Sequence, residues 1–303
     1  MDETQRQREL DRYRVVDSLP DEAYDDIVRL AAAVCGTPTA LVSMIDRGRQ
    51  WFKARTGFDR PETPRDEAFC DHAIRAPQQL FEVRDARGDT RFAANPLVTA
   101  VDGVRFYAGM PLVTPAGAAI GTVCVLDRVP RALDSAQRAS LSALARLTMN
   151  LIEGRQRERD LERQLKLARG IEDAPDVAAR PLHCTVAIFE VRGAAAEAAR
   201  RGERAFERLL HDFTLALESA TPPGSGDSVN RVSGCAELVA VLHGEDDRPL
   251  EALRRRADEF AQQHGIGVLC AASRSHTPDE VLERIFLRAD DERTRFKNAA
   301  AAA

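Results

Sequence analysis

The stretch GVRFYAGMPLVTPAGAAIGTVCVLD, residues 103–127, decides the fold of the N-terminal half of this 303-residue chain. Two apolar runs, 104–114 and 118–127, flank the tripeptide Pro115-Ala116-Gly117. A strand, a turn of proline and glycine and a second strand are typical of a β-hairpin. The sequence therefore predicts an antiparallel sheet that contains this hairpin.

The segments before the hairpin complete a domain at 1–150. Apolar residues recur at helical spacing between Asp21, a predicted N-cap, and Gly36, a predicted helix end. Strands are expected at 38–46, 49–55 and 80–85, and a loop leads into a short helix at 63–74. Helices combined with these strands describe an α+β domain with an antiparallel sheet.

One long signalling and dimerisation helix is predicted at 135–170. Between Ser135 and Arg169 there is no proline, and Gly154 is the single glycine. Leucines follow an a/d heptad register that Gly154 and Glu158 interrupt: Leu144, Leu147, Leu151, Leu161 and Leu165. The register predicts pairing with a second copy, hence a homodimer. A single helix packed on its own domain is the alternative.

A second domain is predicted at 181–298, after the proline-containing break at 171–181. Its elements follow the order β-α-α-β-β-α-β-α, which describes a helix-covered α/β sheet. The helical stretch 194–220 has a potential break at Gly202, and Pro278 with Asp279 is expected to open the last helix.

Composition excludes several classes of protein. Apolar residues make up 44% and charged residues 30%, with a net charge of −5, which is typical of a globular chain and lacks the basic excess of a nucleic-acid binder. We expect no membrane span and no signal peptide, hence a cytoplasmic protein. Six widely spaced cysteines, without a CxxC pair, argue against disulfides and a cysteine-based zinc site. Four are interpreted as small core residues: Cys35, Cys124, Cys184 and Cys270.

Residues 8–151 resemble a GAF domain of the type found in bacterial sensor kinases and cyclases. The pieces that carry the resemblance are VVDSLPDEAYDDI, LVSMIDRGRQWFKA, ETPRDEAFCDHAI, VRDARGDTRFAANPLV and the hairpin quoted above. The resemblance implies a regulatory domain that senses a ligand or another signal.

The resemblance also implies a pocket between the sheet and the loops on one face. The candidate ligand-binding residues are Trp51, Phe69, Cys70, His72, Asp85, Asp89, Arg91, Phe92, Phe106 and Tyr107. Acidic and arginine side chains beside aromatic rings can hold a small polar ligand, whose identity the sequence leaves open. Alternatively, Asp85, Asp89 and Arg91 fix the loop by capping and ion pairing, and Trp51 and Phe106 belong to the core.

Cys70 and His72 also form a Cys-x-His pair, which is half of a metal site or a bilin attachment point in some GAF domains. Metal sites need three or four ligands, and the remaining histidines lie in other segments. We therefore expect neither a metal nor a cofactor.

Residues 181–298 resemble a GGDEF domain, the fold of diguanylate cyclases. The pentapeptide GCAEL stands at the signature: Gly234, Cys235, Ala236, Glu237 and Leu238. LERIFLRADDERTRFKN, 282–298, resembles the closing helix, and Glu190 stands where the family has its first metal-binding aspartate.

The resemblance implies that cyclase chemistry is lost. The second signature glycine is Cys235 and the aspartate is Ala236, while alanines replace a phenylalanine–lysine pair (Ala194, Ala195) and the guanine-recognising residues (Ala198, Ala199). Gly224 replaces the arginine of the product-binding site. Two remnant carboxylates, Glu190 and Glu237, are kept, and their alternative interpretation is as solvated glutamates at strand ends.

These features predict a non-enzymatic bacterial signalling protein. The GAF domain would sense a small molecule or partner, and a degenerate GGDEF-like domain would bind nucleotide or a protein of a cyclic di-GMP pathway. One alternative is a weak or partner-dependent cyclase that uses Glu190 and Glu237. The other is a GAF-only receptor with a C-terminal scaffold.

Overall fold

The computed structural model describes residues 2–172, 183–222, 225–278 and 280–301. The chain divides into two compact units, Met1–Gln156 and Arg157–Ala303. Three sequence predictions lie outside the described residues: most of the break at 171–181, the role of Gly224, and Asp279 as a helix opener.

The first unit is an antiparallel sheet with helices. Its elements are α1 (Glu3–Tyr13), α2 (Glu22–Cys35), β1 (Thr39–Ile45), β2 (Arg49–Thr56), β3 (Glu62–Pro64), a 3₁₀ turn (Arg65–Glu67), α3 (Phe69–Ala73), β4 (Phe81–Val83), α4 (Pro96–Thr99), β5 (Phe106–Val113) and β6 (Ala119–Asp127). The strand order is β3-β2-β1-β6-β5-β4, and every neighbouring pair is antiparallel. The predicted hairpin is confirmed as β5 and β6.

The predicted bounds of α2 are confirmed by its caps. The Asp21 carboxylate accepts a hydrogen bond from the main-chain N–H of Ala23 at 3.1 Å. Gly36 ends the helix with φ of +63°, a conformation that glycine adopts without steric cost. Both caps satisfy main-chain groups that a helix end leaves unpaired.

Side chains of the first sheet alternate between two buried faces, because successive strand residues point to opposite sides. In β1, Leu41 and Ile45 belong to a cluster that also contains Phe69 of α3. The residues between them, including Val42 and Met44, are buried as well. Helices α1 and α2 contact β1, β2 or β6, and α3 contacts β1, β5 and β6. The sheet is therefore covered on both faces.

Helix α5 spans Ser135–Glu172, which confirms the long helix predicted from the sequence. One face of its first half is buried, with Leu141 and Ile152 almost inaccessible to solvent. Leu144 is also buried, so it belongs to the core of its own unit and not to an exposed seam. Leu147, Leu161 and Leu165 are 58%, 62% and 63% exposed. The heptad positions are thus divided between the core and solvent.

The second unit has the predicted order of elements. They are β7 (Cys184–Val191), α6 (Ala194–Arg201), α7 (Glu203–Glu218), β8 (Ser228–Arg231), β9 (Glu237–His243), α8 (Arg248–His264), β10 (Val268–Arg274) and α9 (Leu282–Ala301). The antiparallel sheet has the order β10-β7-β9-β8. Gly202, with φ of +84°, separates α6 from α7 at the predicted break.

The start of α9 differs from the prediction. The helix begins at Leu282, not at Pro278. The Glu280 carboxylate accepts a hydrogen bond from the main-chain N–H of His276 at 2.7 Å and pairs with Arg288 at 2.5 Å. This local bond holds the segment before α9 in a turn, because a carboxylate that binds nearby main-chain N–H groups competes with helix formation.

Within the described residues, no helix is both long enough and apolar enough to cross a lipid bilayer.

Replacing Gly121 by alanine is expected to destabilise the first unit. Gly121 of β6 faces Met44 of β1, and a Cβ there would lie 2.0 Å from the main-chain oxygen of Ser43. Overpacking of this kind costs about 1–3 kcal/mol of unfolding free energy. Urea denaturation followed by the fluorescence of Trp51, the chain's one tryptophan, reports on this unit.

The matched control is Gly154→Ala in α5, where an added Cβ meets nothing within 4 Å. Alanine should raise stability there by about 0.5–1 kcal/mol, because it is the better helix former. Equal effects of the two substitutions would contradict the close approach of β1 and β6.

Candidate functional site

A small cavity lies in the first unit between the sheet and α3. Its volume is about 20 Å³, which is room for about one water molecule. The lining is apolar and aromatic apart from a few polar groups. It consists of Leu41, Gln50, Phe52, Phe58, Thr63, Phe69, Cys70, Leu97, Tyr107, Cys124 and Leu126.

Two thiols meet at this cavity. The Sγ atoms of Cys70 and Cys124 are 3.7 Å apart. Three side chains donate hydrogen bonds to Cys70 Sγ: Thr122 Oγ1 at 3.1 Å, Gln50 Nε2 at 3.1 Å and Tyr107 Oη at 3.2 Å. All five residues are buried. Cys70 therefore lies in a shell of hydrogen-bond donors, and we call these five residues the thiol cluster.

Strand periodicity assembles the thiol cluster. Thr122 and Cys124 are two residues apart on β6, so both side chains point to the same face. Tyr107 reaches that face from β5, and Gly109 makes room for it, since a Cβ at 109 would lie 2.1 Å from the phenol oxygen. Cys70 is the second residue of α3 and enters from the opposite side of the cavity.

The two thiols differ in acidity. Burial raises the pKa of Cys70, but hydrogen bonds from Cys124, Ser43, Thr122 and Tyr107 outweigh burial and lower this pKa to about 7. Burial and the hydrogen bond to Cys70 raise the pKa of Cys124 well above its usual value. Of the two thiols, Cys70 is therefore the one that ionises near neutral pH, while Cys124 keeps its proton. The thiolate is the nucleophilic form of cysteine.

Other predicted pocket residues form a separate group, in which His72 of α3 meets the loop before α4. We call His72, Asp89, Arg91 and Phe92 the loop group. Arg91 Nε donates to Asp89 Oδ1 at 2.9 Å, and its guanidinium lies 4.9 Å from the ring centroid of Phe81 and 5.3 Å from that of Phe92. The His72 ring meets Phe92 edge-on at 4.7 Å. Burial and the charge of a nearby arginine lower the pKa of His72.

Asp85 is not part of this loop group. Its carboxylate pairs with Arg87 at 2.8 Å, two residues along the chain. Asp85 and Asp89 also accept main-chain N–H bonds at 3.1 and 3.0 Å. These short-range contacts match the alternative in which acidic and arginine side chains fix the loop by capping and ion pairing.

Trp51 and Phe106 were predicted to line the pocket, but they belong to the core on the other face of the sheet. Among the described residues that line the cavity, neither is present. The reason is strand alternation: Phe52 and Tyr107 face the cavity, so the adjacent Trp51 and Phe106 face the other side of the sheet. Both are buried, at 6% and 0% exposure.

Sequence reasoning missed the partners of Cys70. Cys124 was expected to be a small core residue, and it is buried, but it also contacts a thiol 54 residues away in the sequence. No local sequence pattern predicts such a contact. The spacing of Thr122 and Cys124 predicts only that their side chains share one face of a strand. Cys184 and Cys270 are only partly buried, which corrects their interpretation as core residues. All six cysteines are thiols.

In the second unit, the two remnant carboxylates lie side by side. The register of β7 and β9 pairs Glu190 with Glu237. Arg293 Nη1 and Lys297 Nζ lie 2.7 and 2.5 Å from the carboxylate of Glu190, and Arg163 Nε lies 3.5 Å from Glu237 Oε1. Burial raises the pKa of Glu190, but Lys297 and Arg293 lower it below its usual value.

The interpretation of Glu190 and Glu237 as solvated glutamates is therefore wrong. Their side chains are only 16% and 6% exposed, and basic residues surround both. Charges can be this buried in a protein because opposite charges accompany them. Within the described residues, no group of three or more histidine, cysteine or acidic side chains is arranged to hold a metal ion.

The turn around GCAEL, residues 234–238, contacts α5. Gly234 has φ of +68°, and Cys235 Sγ donates to the main-chain oxygen of Val232 at 3.3 Å. The Glu162 carboxylate of α5 accepts bonds from the main-chain N–H and the hydroxyl of Ser233, at 2.8 and 2.7 Å. Two further signature residues, Ala236 and Leu238, are buried.

Comparison with known proteins identifies the first unit. Residues 19–152 match the family model described as GAF domain, so this segment is a GAF domain. A cyclic di-GMP phosphodiesterase of Pseudomonas aeruginosa is 42% identical over 149 residues, which are 49% of this chain and 25% of that protein. The matched part is thus about a quarter of the relative's length.

Two solved structures show partial similarity to this chain. The GAF domain of an Acinetobacter phosphoenolpyruvate-protein phosphotransferase has 16% identity and a TM-score of 0.38, covering 51% of this chain and 95% of that one. An EAL/GGDEF domain protein from M. capsulatus has 20% identity and a TM-score of 0.36, covering 45% and 92%.

Replacing Tyr107 by phenylalanine is expected to raise the pKa of Cys70 by about one pH unit, because a hydrogen bond to a charged group contributes about 1.5 kcal/mol. The wild-type thiolate should form with a midpoint near pH 7. The ultraviolet absorbance of the thiolate, titrated against pH and compared with Cys70→Ser, isolates this one group.

Tyr24→Phe is the matched control, since Tyr24 is a buried tyrosine of α2, outside the thiol cluster. It should leave the Cys70 titration unchanged. A wild-type midpoint at the ordinary cysteine pKa of about 8.5 would contradict the arrangement of donors around Cys70.

Proposed function

We propose that this chain is a non-enzymatic signalling protein. Its GAF domain senses a small molecule or a protein partner. The second unit is a catalytically inactive, GGDEF-like module that binds a nucleotide or a protein. The observation that carries the proposal is the set of basic side chains on Glu190 and Glu237.

A diguanylate cyclase needs carboxylates that hold divalent metal on the triphosphate of GTP. In this chain the corresponding carboxylates already carry cationic partners, namely Arg293 and Lys297 on Glu190 and Arg163 near Glu237. Arg293 is buried, and the charges of Glu190, Asp290 and Glu237 raise its pKa against the opposing effect of burial. A metal ion would have to displace these cations, so the residues present do not fit one.

The surroundings of the signature turn also oppose nucleotide chemistry. Glu162 binds the main-chain N–H and the hydroxyl of Ser233, next to Gly234. A carboxylate at this turn would repel the triphosphate of a GTP substrate held there for cyclase chemistry, because both are negatively charged. Nucleotide binding by the second unit would therefore use another part of its surface. Ala198 and Ala199 of α6 bring no hydrogen-bonding side chain with which to recognise guanine.

The relative from Pseudomonas aeruginosa connects the GAF domain to cyclic di-GMP signalling. That protein is named as a cyclic di-GMP phosphodiesterase, and the similarity is 42% over 149 residues. A sensor this similar, joined here to a GGDEF-like module, supports a role in the same signalling system. The output would be binding to a protein partner of that system, since the second unit lacks the groups for synthesis.

Exposed leucines on α5 support a homodimer. Leu161 and Leu165 lie four residues apart, on one side of the helix, and each is more than half exposed. In the first unit Leu147, two heptads earlier in the sequence, is also exposed. A second copy of α5 would cover these leucines, and pairing of helices is a route by which sensing in one domain changes the other.

Purified protein is expected to make no cyclic di-GMP from GTP with Mg²⁺ or Mn²⁺, measured by chromatography against a protein-free blank. Glu162→Ala and Arg163→Ala, which uncover the turn and Glu237, should not create activity. Calorimetry with GTP and cyclic di-GMP on the same full chain tests the nucleotide-binding role separately.

Turnover that Glu237→Ala abolishes would overturn the proposal in favour of the weak cyclase. Activity that appears only in the Glu162 or Arg163 variant would show instead that α5 inhibits a competent site.

The variant with both Leu161→Glu and Leu165→Glu is expected to weaken self-association. Each leucine that pairing buries contributes about 1.5–3 kcal/mol, so the dimer Kd should rise at least about tenfold. Sedimentation velocity over a range of concentrations measures this change.

Leu215→Glu provides the comparison, because Leu215 of α7 is 50% exposed but lies outside the heptad line. It should leave the Kd unchanged. A wild-type chain that stays monomeric at the highest concentration would rule out pairing through α5.

A further inference from the structure

We infer that Cys70 and Cys124 form a peroxide-reactive thiol pair, in which Cys70 attacks the oxidant and Cys124 resolves the product to a disulfide. The inference concerns the chemistry of the thiol cluster. Its meaning as a signal rests on the sensing role proposed above.

The geometry of the pair places a nucleophile beside a resolving thiol. The two Sγ atoms are 3.7 Å apart, and a disulfide bond is about 2.05 Å long. Closing the difference requires a sulfur movement of less than about 2 Å, which rotation of the two side chains and a small shift of α3 can provide. Helix α3 is only five residues long, so a shift of this helix displaces few other contacts.

The donors around Cys70 activate one thiol of the pair. Thr122, Gln50 and Tyr107 each donate a hydrogen bond to Cys70 Sγ, which stabilises negative charge on that sulfur. The pKa of Cys70 falls to about 7 although the side chain is buried. Cys124, whose pKa is raised, stays protonated and supplies the proton that the leaving group needs.

The cavity next to both sulfurs favours a small oxidant. Its volume of about 20 Å³ admits a molecule of roughly the size of water. Phe52, Phe69 and Leu126 line the rest of it and disfavour a charged ligand. Hydrogen peroxide is small and neutral, whereas a nucleotide or an organic hydroperoxide with a bulky group is too large for this space.

The reaction balances with hydrogen peroxide as the oxidant. The Cys70 thiolate attacks one peroxide oxygen and the O–O bond breaks, so that sulfur loses two electrons and becomes a sulfenic acid. The hydroxide that leaves takes up from solvent the proton that Cys70 released on ionising, and it departs as water. Cys124 Sγ then attacks Cys70 Sγ, the S–O bond breaks, and the hydroxyl takes the Cys124 proton to leave as water. The net change is two thiols and one peroxide to one disulfide and two waters.

Three other cysteines, Cys35, Cys184 and Cys270, lack this activation. Burial, followed by the charge of Asp134, raises the pKa of Cys35 to about 11. Burial also raises the pKa values of Cys184 and Cys270. A thiol with a raised pKa has little thiolate at neutral pH and reacts slowly with peroxide. Oxidation should therefore favour Cys70 over these three cysteines.

The disulfide would change the structure around the cavity. Drawing Cys70 onto Cys124 takes its sulfur from Thr122 and Tyr107, which leaves buried hydroxyls without the acceptor they now have. Phe69, the neighbour of Cys70 on α3, stacks on Phe92 with ring centroids 4.1 Å apart. Movement of α3 would thus reach the loop group of His72, Asp89 and Arg91 through Phe92.

The test treats the reduced full-length protein with hydrogen peroxide, blocks remaining thiols with an alkylating reagent and maps the cysteines by mass spectrometry. We expect a Cys70–Cys124 linked peptide that dithiothreitol removes. In Cys124→Ser, Cys70 should instead be trapped as a sulfenic acid by dimedone. The oxidation rate should rise about tenfold from pH 6 to pH 8 and then level off, following the thiolate fraction of a group with a pKa of about 7.

Cys35→Ser is the matched control, because Cys35 is a buried cysteine of the same unit and should not affect the linked peptide. Failure of wild-type protein to form the Cys70–Cys124 link, or equal oxidation of Cys35 and Cys70, would overturn the inference whether or not any variant folds. A rate that keeps rising steeply above pH 8 would overturn the assignment of Cys70 as the attacking thiolate.

Sedimentation velocity and calorimetry on the oxidised protein separate this inference from the proposed function. A change in self-association or in partner binding upon oxidation supports both. A Cys70–Cys124 disulfide without either change supports the thiol chemistry and overturns the sensing role assigned to it.

Discussion

The close pairing of β1 with β6 is the constraint on which the first unit depends. Gly121 allows the two strands to approach, since any side chain there would collide with the main chain at Ser43. The register that follows sets Ser43 opposite Thr122 and Leu41 opposite Cys124. Ser43 and Thr122 share a hydrogen bond between their hydroxyls at 3.1 Å. A slip by one residue would turn these side chains to the opposite face and dismantle the thiol cluster.

The polar groups buried on one face of the GAF sheet need hydrogen-bond partners among themselves. The hydroxyls of Thr122 and Tyr107 and the amide of Gln50 all donate to the sulfur of Cys70. Burying such groups without partners would cost about 1–3 kcal/mol each. A sulfur that accepts several donors is more stable as a thiolate, so the same contacts that satisfy the core also make the cysteine reactive.

The second unit buries two carboxylates beside each other. Glu190 and Glu237 are neighbours on β7 and β9, and like charges so close would repel. Arg293, Lys297 and Arg163 compensate them, and removing one member of such a buried group costs about 3–5 kcal/mol. The basic residues come from α5 and α9, so the carboxylates join the packing of helices on the sheet. In this structure both carboxylates contact basic side chains of these helices.

The sequence by itself determined the elements and their order. Apolar periodicity, the caps of α2 and the turn after β5 are local signals, and they predicted the two-unit arrangement of strands and helices. The GAF domain itself was predicted from the resemblance of residues 8–151 to that family. Local signals also predicted the break at Gly202. They failed at α9, where the Glu280 carboxylate delays the helix by binding the main chain of His276.

Only the tertiary structure decided which side chains meet. Cys70 and Cys124 are 54 residues apart, and Glu190 and Arg293 are 103 apart. Contacts over such distances depend on the register of strands and on the side of the sheet to which each residue points. The predicted pocket placed Trp51 and Tyr107 together, but alternation along β2 and β5 sends them to opposite faces. The physical reason is that a sequence specifies which residues are buried, whereas the sheet specifies what they are buried against.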